Sequence, residues 1–317
     1  MIDTVTIRPY QSEDLEPVLD LLRVALGETP LLRRTPALFA WKHLDNPFGP
    51  SLMLIAEAAG TVAGFRAFMR WELTTPAGQT VKCVRAVDTA THPEYQRRGI
   101  FRRLTLDAIE VARADGVELV FNTPNRRSGA GYSTMGWTEV GGIGVLVRPS
   151  RRMLSRHRAT PNASDPADFI EQPKPVTNVD PPQRAALGLR TPRRPEYLDW
   201  RFRRHPTARY LMVGDGDNQA ILRPSIRSGR RELVISDLFG PNPGRAVALA
   251  TRRSRSDYLV ASFRSGTPER RAVLRSGLVP VPWTRALNLY AHPLVDLPLE
   301  VTALESWDLA LSDLELL

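Results

Sequence analysis

The sequence predicts an α/β (α+β) chain of two tandem domains, each a mixed, mostly antiparallel central sheet flanked by helices. Three observations predict it. The 317 residues exceed one small domain and fit two. Residues 1–149 read as a helix, an antiparallel meander, and then a strand, a glycine-bearing loop, a helix and a strand. Residues 195–317 repeat part of that order.

Val5-Thr6-Ile7-Arg8-Pro9 reads as a short strand. Ser12 is a good N-cap, followed by acidic Glu13 and Asp14 in the first turn. Leu15, Val18, Leu19, Leu22 and Leu26 recur at helical spacing, and Gly27 stops the helix. Strands follow over 52–58, 62–73 and 81–91, separated by turns at Gly60 and Thr75-Pro76-Ala77-Gly78. A loop with Gly99 leads into a helix over about 102–114. Its apolar positions are Leu104, Ala108, Ile109, Val111 and Ala112. A buried strand over 117–121, a short helix near 130–135 and a last strand from Trp137 to Val147 complete the unit.

Residues 150–194 hold many prolines and arginines with little periodicity, which reads as a connector with one short helix. Beyond it, Trp200-Arg201 and Pro206 match Trp41-Lys42 and Pro47 at the same spacing. Leu233 to Phe239 reads as a fourth-strand equivalent, Arg271 to Ser276 as a short helix and Val281 to Tyr290 as a strand. The expected organisation is therefore 1–149, a connector over 150–194, and a degenerate second copy over 195–317.

Composition narrows the function classes. The net charge is +9, carried mostly by arginine; Lys42, Lys82 and Lys174 are the lysines. Such an excess suits a polyanionic partner, or reflects arginine written for lysine. Few aromatics interleave with the basic residues and no recognition motif appears, which argues against nucleic acid. No apolar run reaches membrane-spanning length, and the N-terminus shows no secretory pattern. One cysteine, Cys83, forms no internal disulfide, so a cytoplasmic protein is expected. His43, His92, His157, His205 and His292 lack ligand spacing, so no metal is expected.

The most informative stretch is His92 through Leu104, between a strand and a helix. Gln96-Arg97-Arg98-Gly99 supplies a turn with backbone N–H groups at a helix start, where the helix dipole favours a pyrophosphate. Arg97, Arg98, Arg102 and Arg103 add charge for phosphates. This stretch resembles the pyrophosphate loop of the GNAT superfamily of N-acetyltransferases: Gln or Arg, two residues, Gly, one residue, then a small residue. Gln96 through Phe101 match it, with Ile100 in the variable place and Phe101 replacing the small residue. Phe101 is expected to point into the helix–sheet core. Asn125, Tyr132 and Gly136-Trp137 reproduce a second signature of that family. The resemblance covers residues 1–148 well and the second half in outline. It implies two tandem GNAT-like domains, the second degenerate.

From this resemblance follow further expectations. The co-substrate is acetyl-CoA or another acyl-CoA, and the acceptor is a small-molecule amine that attacks directly in a ternary complex. The bulged fourth strand, about Asp88 to Thr91, presents backbone at Ala90 and Thr91 to the acyl and pantetheine groups. Asn125 lies near the pantetheine arm, and Tyr132 protonates the leaving thiolate. Asp88 is the first candidate for the base, a structural ion pair being the alternative; Glu94 and His92 come after it. Strand alternation puts Asp88, Ala90 and His92 on one face and Thr89 and Thr91 on the other. Gly240-Pro241-Asn242-Pro243-Gly244-Arg245 replaces the loop in the second copy, its prolines removing donors. Competing readings are a tandem aminoacyl-tRNA-dependent transferase and a non-catalytic acyl-CoA-binding protein. A homodimer stays open.

Overall fold

In the computed structural model, residues 4–28, 33–154, 165–177, 184–281 and 287–314 are described. Contacts divide the chain into two units: 1–73 with 78–141 and 288–304, and 74–77 with 142–287 and 305–317.

The first half carries β1 (Val5–Pro9), α1 (Leu15–Leu26), α2 (Pro36–His43), β2 (Leu52–Ala58), β3 (Thr61–Thr74), β4 (Thr80–Thr91), α3 (Ile100–Ala114), β5 (Leu119–Asn122), α4 (Arg126–Ser133), β6 (Thr138–Ile143) and β7 (Leu146–Pro149). The second carries β8 (Lys174–Pro175), α5 (Pro195–Leu198), β9 (Leu211–Asp215), β10 (Asn218–Arg227), β11 (Arg230–Phe239), α6 (Pro243–Arg253), β12 (Tyr258–Ala261), α7 (Pro268–Arg275), β13 (Val279–Pro280), β14 (Leu287–Pro293) and α8 (Leu311–Leu314).

α1 forms on the expected apolar stripe and buries Val18, Leu19, Leu21 and Leu22. Its N-terminus is held differently from the sequence expectation. Asp14, not Ser12, accepts the Gln11 N–H at 2.8 Å, and Arg8 fixes the same carboxylate. α3 buries Ile100, Leu104, Ala108, Ile109 and Ala112 on one face. It lies close on β3 because residue 64 is glycine: a Cβ there would stand 2.7 Å from Ile100 Cγ2. One apolar core joins α3 to the sheet through residues such as Leu104, Ala108 and Val120. A second, with Leu19, Leu22, Phe39, Phe65 and Ala90, joins α1 and α2 to the opposite face.

The first sheet runs β1-β2-β3-β4-β5-β14-β6, the second β8-β9-β10-β11-β12-β7-β13. The orders correspond strand for strand. In each, one parallel pair spans a helical crossover: β4–β5 across α3, and β11–β12 across α6. In each, the strand beside that pair comes from the other half of the chain. β14 pairs antiparallel with β5, and β7 with β12.

This exchange corrects the sequence expectation in three places. The strand read from Trp137 to Val147 is two strands in different sheets, parted at Gly144 and Val145. Of the strand read from Val281 to Tyr290, Val281 continues from β13, its N–H bonded to Val145 O at 3.0 Å, whereas Leu287 to Tyr290 lie in β14 of the other sheet, and 282–286 are outside the described residues. The expected cuts at 149 and 195 therefore do not follow the units. The described parts of the connector belong to the second unit, with Phe169 and Ile170 buried in its core and β8 on its edge strand β9. Residues 155–164 and 178–183 of that connector lie outside the described residues.

Candidate active site

β4 and β5 pair only as far as Arg85↔Phe121 and then splay. Beyond that point the first unit holds a cleft of about 600 Å³, a volume ordinary for a small-ligand site. Its floor is the end of β4 and its walls are the Tyr95–Arg102 loop, residues 122–125 and α4. Of the residues singled out in the sequence, Asp88, Ala90, Thr91, Gln96, Arg97, Gly99, Ile100, Phe101, Arg102, Asn125 and Tyr132 line it together. Arg98 does not. Its Nη2 donates to Glu94 O at 3.1 Å and its guanidinium lies 4.8 Å from the Tyr95 ring centre.

The loop is shaped for an anion. Arg97 and Gly99 both take left-handed backbone, φ +63° and +75°, the geometry that turns successive N–H groups into a concavity. The first helical hydrogen bond of α3 is donated by Arg103 N to Gly99 O at 3.0 Å. The N–H groups of Ile100, Phe101 and Arg102 therefore have no intrahelical acceptor. Arg97 and Arg102 bring charge to the same place. These residues fit a pyrophosphate.

Phe101 departs from its expected place. It is half-buried at the edge of the core, packed edge-on against Tyr132 with ring centres 5.5 Å apart. Gly131 makes room for it, since a Cβ there would meet the ring at 3.1 Å. Asn125 caps α4, its Oδ1 accepting the Ser128 N–H at 3.0 Å. The strand that sequence reading placed in the second copy braces the far end of this region. Tyr290 Oη donates to Glu139 Oε2 at 2.8 Å, and His292 stacks on Trp137 at 4.7 Å.

Asp88 sits at a bulge with φ +44°. The alternation expected from residue 88 onward holds, with Asp88 and Ala90 on the α1–α2 side and Thr89 toward Arg66, but its phase is shifted from that of the residues before it. Val84 and Ala86 face the α3 core, whereas Ala90 lies in the α1–α2 core. The Asp88 carboxylate is taken up by three groups: Lys42 Nζ at 2.6 Å, Arg34 Nη1 at 3.2 Å and His43 Nε2 at 3.1 Å. Burial works to raise its pKa, but Lys42, the His43 hydrogen bond and Arg34 hold it well below the usual carboxylate range. Burial acts the opposite way on His43 and lowers its pKa; its Nε2 faces Asp88 and its Nδ1 lies 3.0 Å from Ser51 Oγ. A carboxylate this weakly basic and this fully paired does not take a proton from an ammonium. Of the two alternatives for Asp88, the structure supports the ion pair over the base. Glu94 and His92 do not line the cleft.

Sequence reading missed Arg66 on β3. It is fully buried, and its Nη1 donates to Tyr132 Oη at 2.7 Å and to Thr89 Oγ1. The only signal was a charge inside the apolar run Phe65-Arg66-Ala67-Phe68.

Residues 6–140 match the family model described as an acetyltransferase (GNAT) domain. Residues 6–140 form a GNAT acetyltransferase domain. The whole fold is similar to that of solved structures at low identity. A GCN5-related N-acetyltransferase from Anabaena variabilis superposes with a TM-score of 0.63 at 15% identity, over 91% of this chain and 72% of that one. Eis1 from Mycobacterium abscessus gives 0.59 at 17% identity, over 92% and 73%. A GCN5-related N-acetyltransferase from Kribbella flavida gives 0.61 at 14% identity, over 92% and 71%. No curated protein matches the sequence. The GNAT domain thus supplies the cleft, and among the described residues no helix is long and apolar enough to cross a membrane.

Proposed function

We propose that the chain transfers an acetyl or other short acyl group from acyl-CoA to the primary amine of a small molecule. One observation carries this reading: the splay of β4 from β5 gathers the anion-shaped loop, Asn125 and Tyr132 on a single cleft. The loop N–H groups with Arg97 and Arg102 would hold the pyrophosphate. Backbone at Ala90 and Thr91, past the bulge, would run beside the pantetheine arm. Amine and thioester held in one cleft react as if unimolecular. The C–N bond forms, the C–S bond breaks, and Tyr132 Oη gives its proton to the sulfur. Asp88 is paired, so the proton of the attacking nitrogen leaves to water.

Calorimetric titration of acetyl-CoA tests the reading. One site per chain, lost in an Arg97→Glu, Gly99→Asp variant, is the expected result. An acetyl-CoA-dependent amine screen then follows. Equal binding by the variant would remove the loop from the cofactor site, and no binding by the native chain would remove acetyl-CoA as donor.

A further inference from the structure

Arg66 is an expensive residue to bury. It is 0% exposed, yet among the described residues no carboxylate pairs with it, and its Nε and Nη2 have no hydrogen-bond partner. A guanidinium stays charged in proteins, and a buried charge without a counter-ion costs several kcal/mol. Part of that cost is offset by ring faces. Its Cζ lies 4.7 Å from the Phe68 centre, 5.2 Å from that of Tyr132 and 5.8 Å from that of Phe101. Its directed contacts toward the cleft are the hydrogen bonds of Nη1 to Thr89 Oγ1 and, at 2.7 Å, to Tyr132 Oη.

The fold does not require this charge, because the second unit builds the same place without it. Leu54, third in β2, lies opposite Arg66; Val213, third in β9, lies opposite Ala220. Thr89 follows the ion-paired Asp88, and Leu238 follows the ion-paired Asp237. Tyr132 stands four residues before Gly136, and Val273 four before Gly277, both glycines with positive φ. Arg66, Thr89 and Tyr132 thus answer to Ala220, Leu238 and Val273, which belong to one apolar core.

We infer that Arg66 is a positioning residue for the leaving group: a fixed positive charge behind Tyr132 that stabilises the anion formed when the thioester breaks. This rests on the acyl-CoA reading above. As the C–S bond breaks, its electron pair goes to sulfur, and sulfur takes the Tyr132 proton. The phenolate oxygen keeps the Arg66 hydrogen bond and regains a proton from water, to which the attacking nitrogen has given its own. Because Nη1 donates to Oη, the hydroxyl proton is left free to point at the sulfur. Free CoA in the same cleft would then bind in the anionic state that precedes that last proton, its sulfur and Tyr132 Oη sharing one proton beside Arg66.

Proton release on binding tests this. CoA and desulfo-CoA are titrated calorimetrically into the full chain near neutral pH in buffers of different ionisation enthalpy. A free thiol and a phenol are both mostly protonated there, so the bound anionic pair appears as proton release with CoA and none with desulfo-CoA. Arg66→Met and Tyr132→Phe should each abolish that release while binding desulfo-CoA as the native chain does. Arg66→Lys, which keeps charge, should retain part of it and guards against a folding defect in the methionine variant. No proton release by the native chain, or undiminished release by Arg66→Met, would overturn the inference and leave the cofactor reading standing. Failure of the native chain to bind either compound would overturn both.

Discussion

The two units run the same strand order through the same crossover, yet they treat the ground beyond the parallel pair in opposite ways. In the first, the loop before α3 opens a cleft. In the second, Gly240 is pressed onto the β9–β10 turn, where a Cβ would meet Asp217 O at 2.3 Å. There Asn242 N, the last donor before Pro243, is already bonded to Asn218 Oδ1 at 2.7 Å. What both units share is fold; what the first alone has is a candidate for chemistry. That separates residues that look equally functional in a sequence. Arg34-Thr35-Pro36 and Trp41 recur as Arg193-Arg194-Pro195 and Trp200 at the same spacing. Arg34 pairs with Asp88, and Arg193 pairs with Asp237 at 2.7 Å. The ion pair between the helix entry and the bulged strand is thus a strut of the architecture, present where no cofactor loop exists. Tyr132, Arg66 and Thr89 have no polar counterpart in the second unit.

The comparison can be broken at several points. The largest effect is expected from Tyr132→Phe, which gives the first unit an inert ring where the second has Val273. The acyl-transfer rate should fall about 10²–10⁴-fold with acetyl-CoA affinity nearly unchanged, read by steady-state kinetics beside calorimetry. An unchanged rate would make the chain a binding protein.

Next come the struts. Asp88→Asn and Asp237→Asn should each lower stability by about 3–5 kcal/mol in chemical denaturation. If Asp88 were the base, its variant would instead keep its stability and lose the acidic limb of the pH–rate profile, which reports ionisation of the base. Opposite-charge changes in the two loops should then diverge. Arg97→Glu with Gly99→Asp should weaken acetyl-CoA by about 100-fold or more, the loss of two charge-assisted contacts. Arg245→Glu in the second unit should leave affinity unchanged. Equal losses would mean that general positive charge, not the loop, holds the ligand.

The smallest effect concerns acid. His43 has a lowered pKa from burial, and Phe202 occupies its place in the second unit. Below about pH 6.5 the unfolded imidazole takes a proton that the folded one refuses, so stability falls as pH drops from there. Asp88, held low, adds its own loss only as pH falls from about 4 toward its folded value. The melting temperature should therefore drop between pH 7.5 and 5.5, and His43→Gln should drop less. An identical slope in both would show that His43 charges freely in the fold.

Local pattern carried much of this into the sequence. α1 and α3 follow from apolar spacing and the loop from glycine among arginines before a helix, whereas Tyr132 came from the resemblance of Asn125, Tyr132 and Gly136-Trp137 to the GNAT signature. What pattern could not carry was partnership over distance. Alternation along residues 137–147 reads the same whichever sheet the strand joins, so the exchange of β7 and β14 was invisible. Alternation did place Asp88 beside Ala90 and opposite Thr89, but it could not show that the left-handed residue at 88 shifts this stretch against the strand before it. The neutralising partners of Asp88 come from α2 and the chain before it. Arg66 was passed over because a charge in an apolar strand reads as an irregularity until the ring faces around it are seen.

The borrowed strand also sets a timetable. β14 begins at Leu287, whereas the strand it must join ends at Asn122. At a synthesis rate of about 5–20 residues per second, the nascent chain waits on the order of 10–30 s for that edge to be covered. During the wait β5 presents open backbone to any passing strand. The cleft is drawn from residues 25 to 132, yet its sheet is finished only once Leu287–Pro293 has been made.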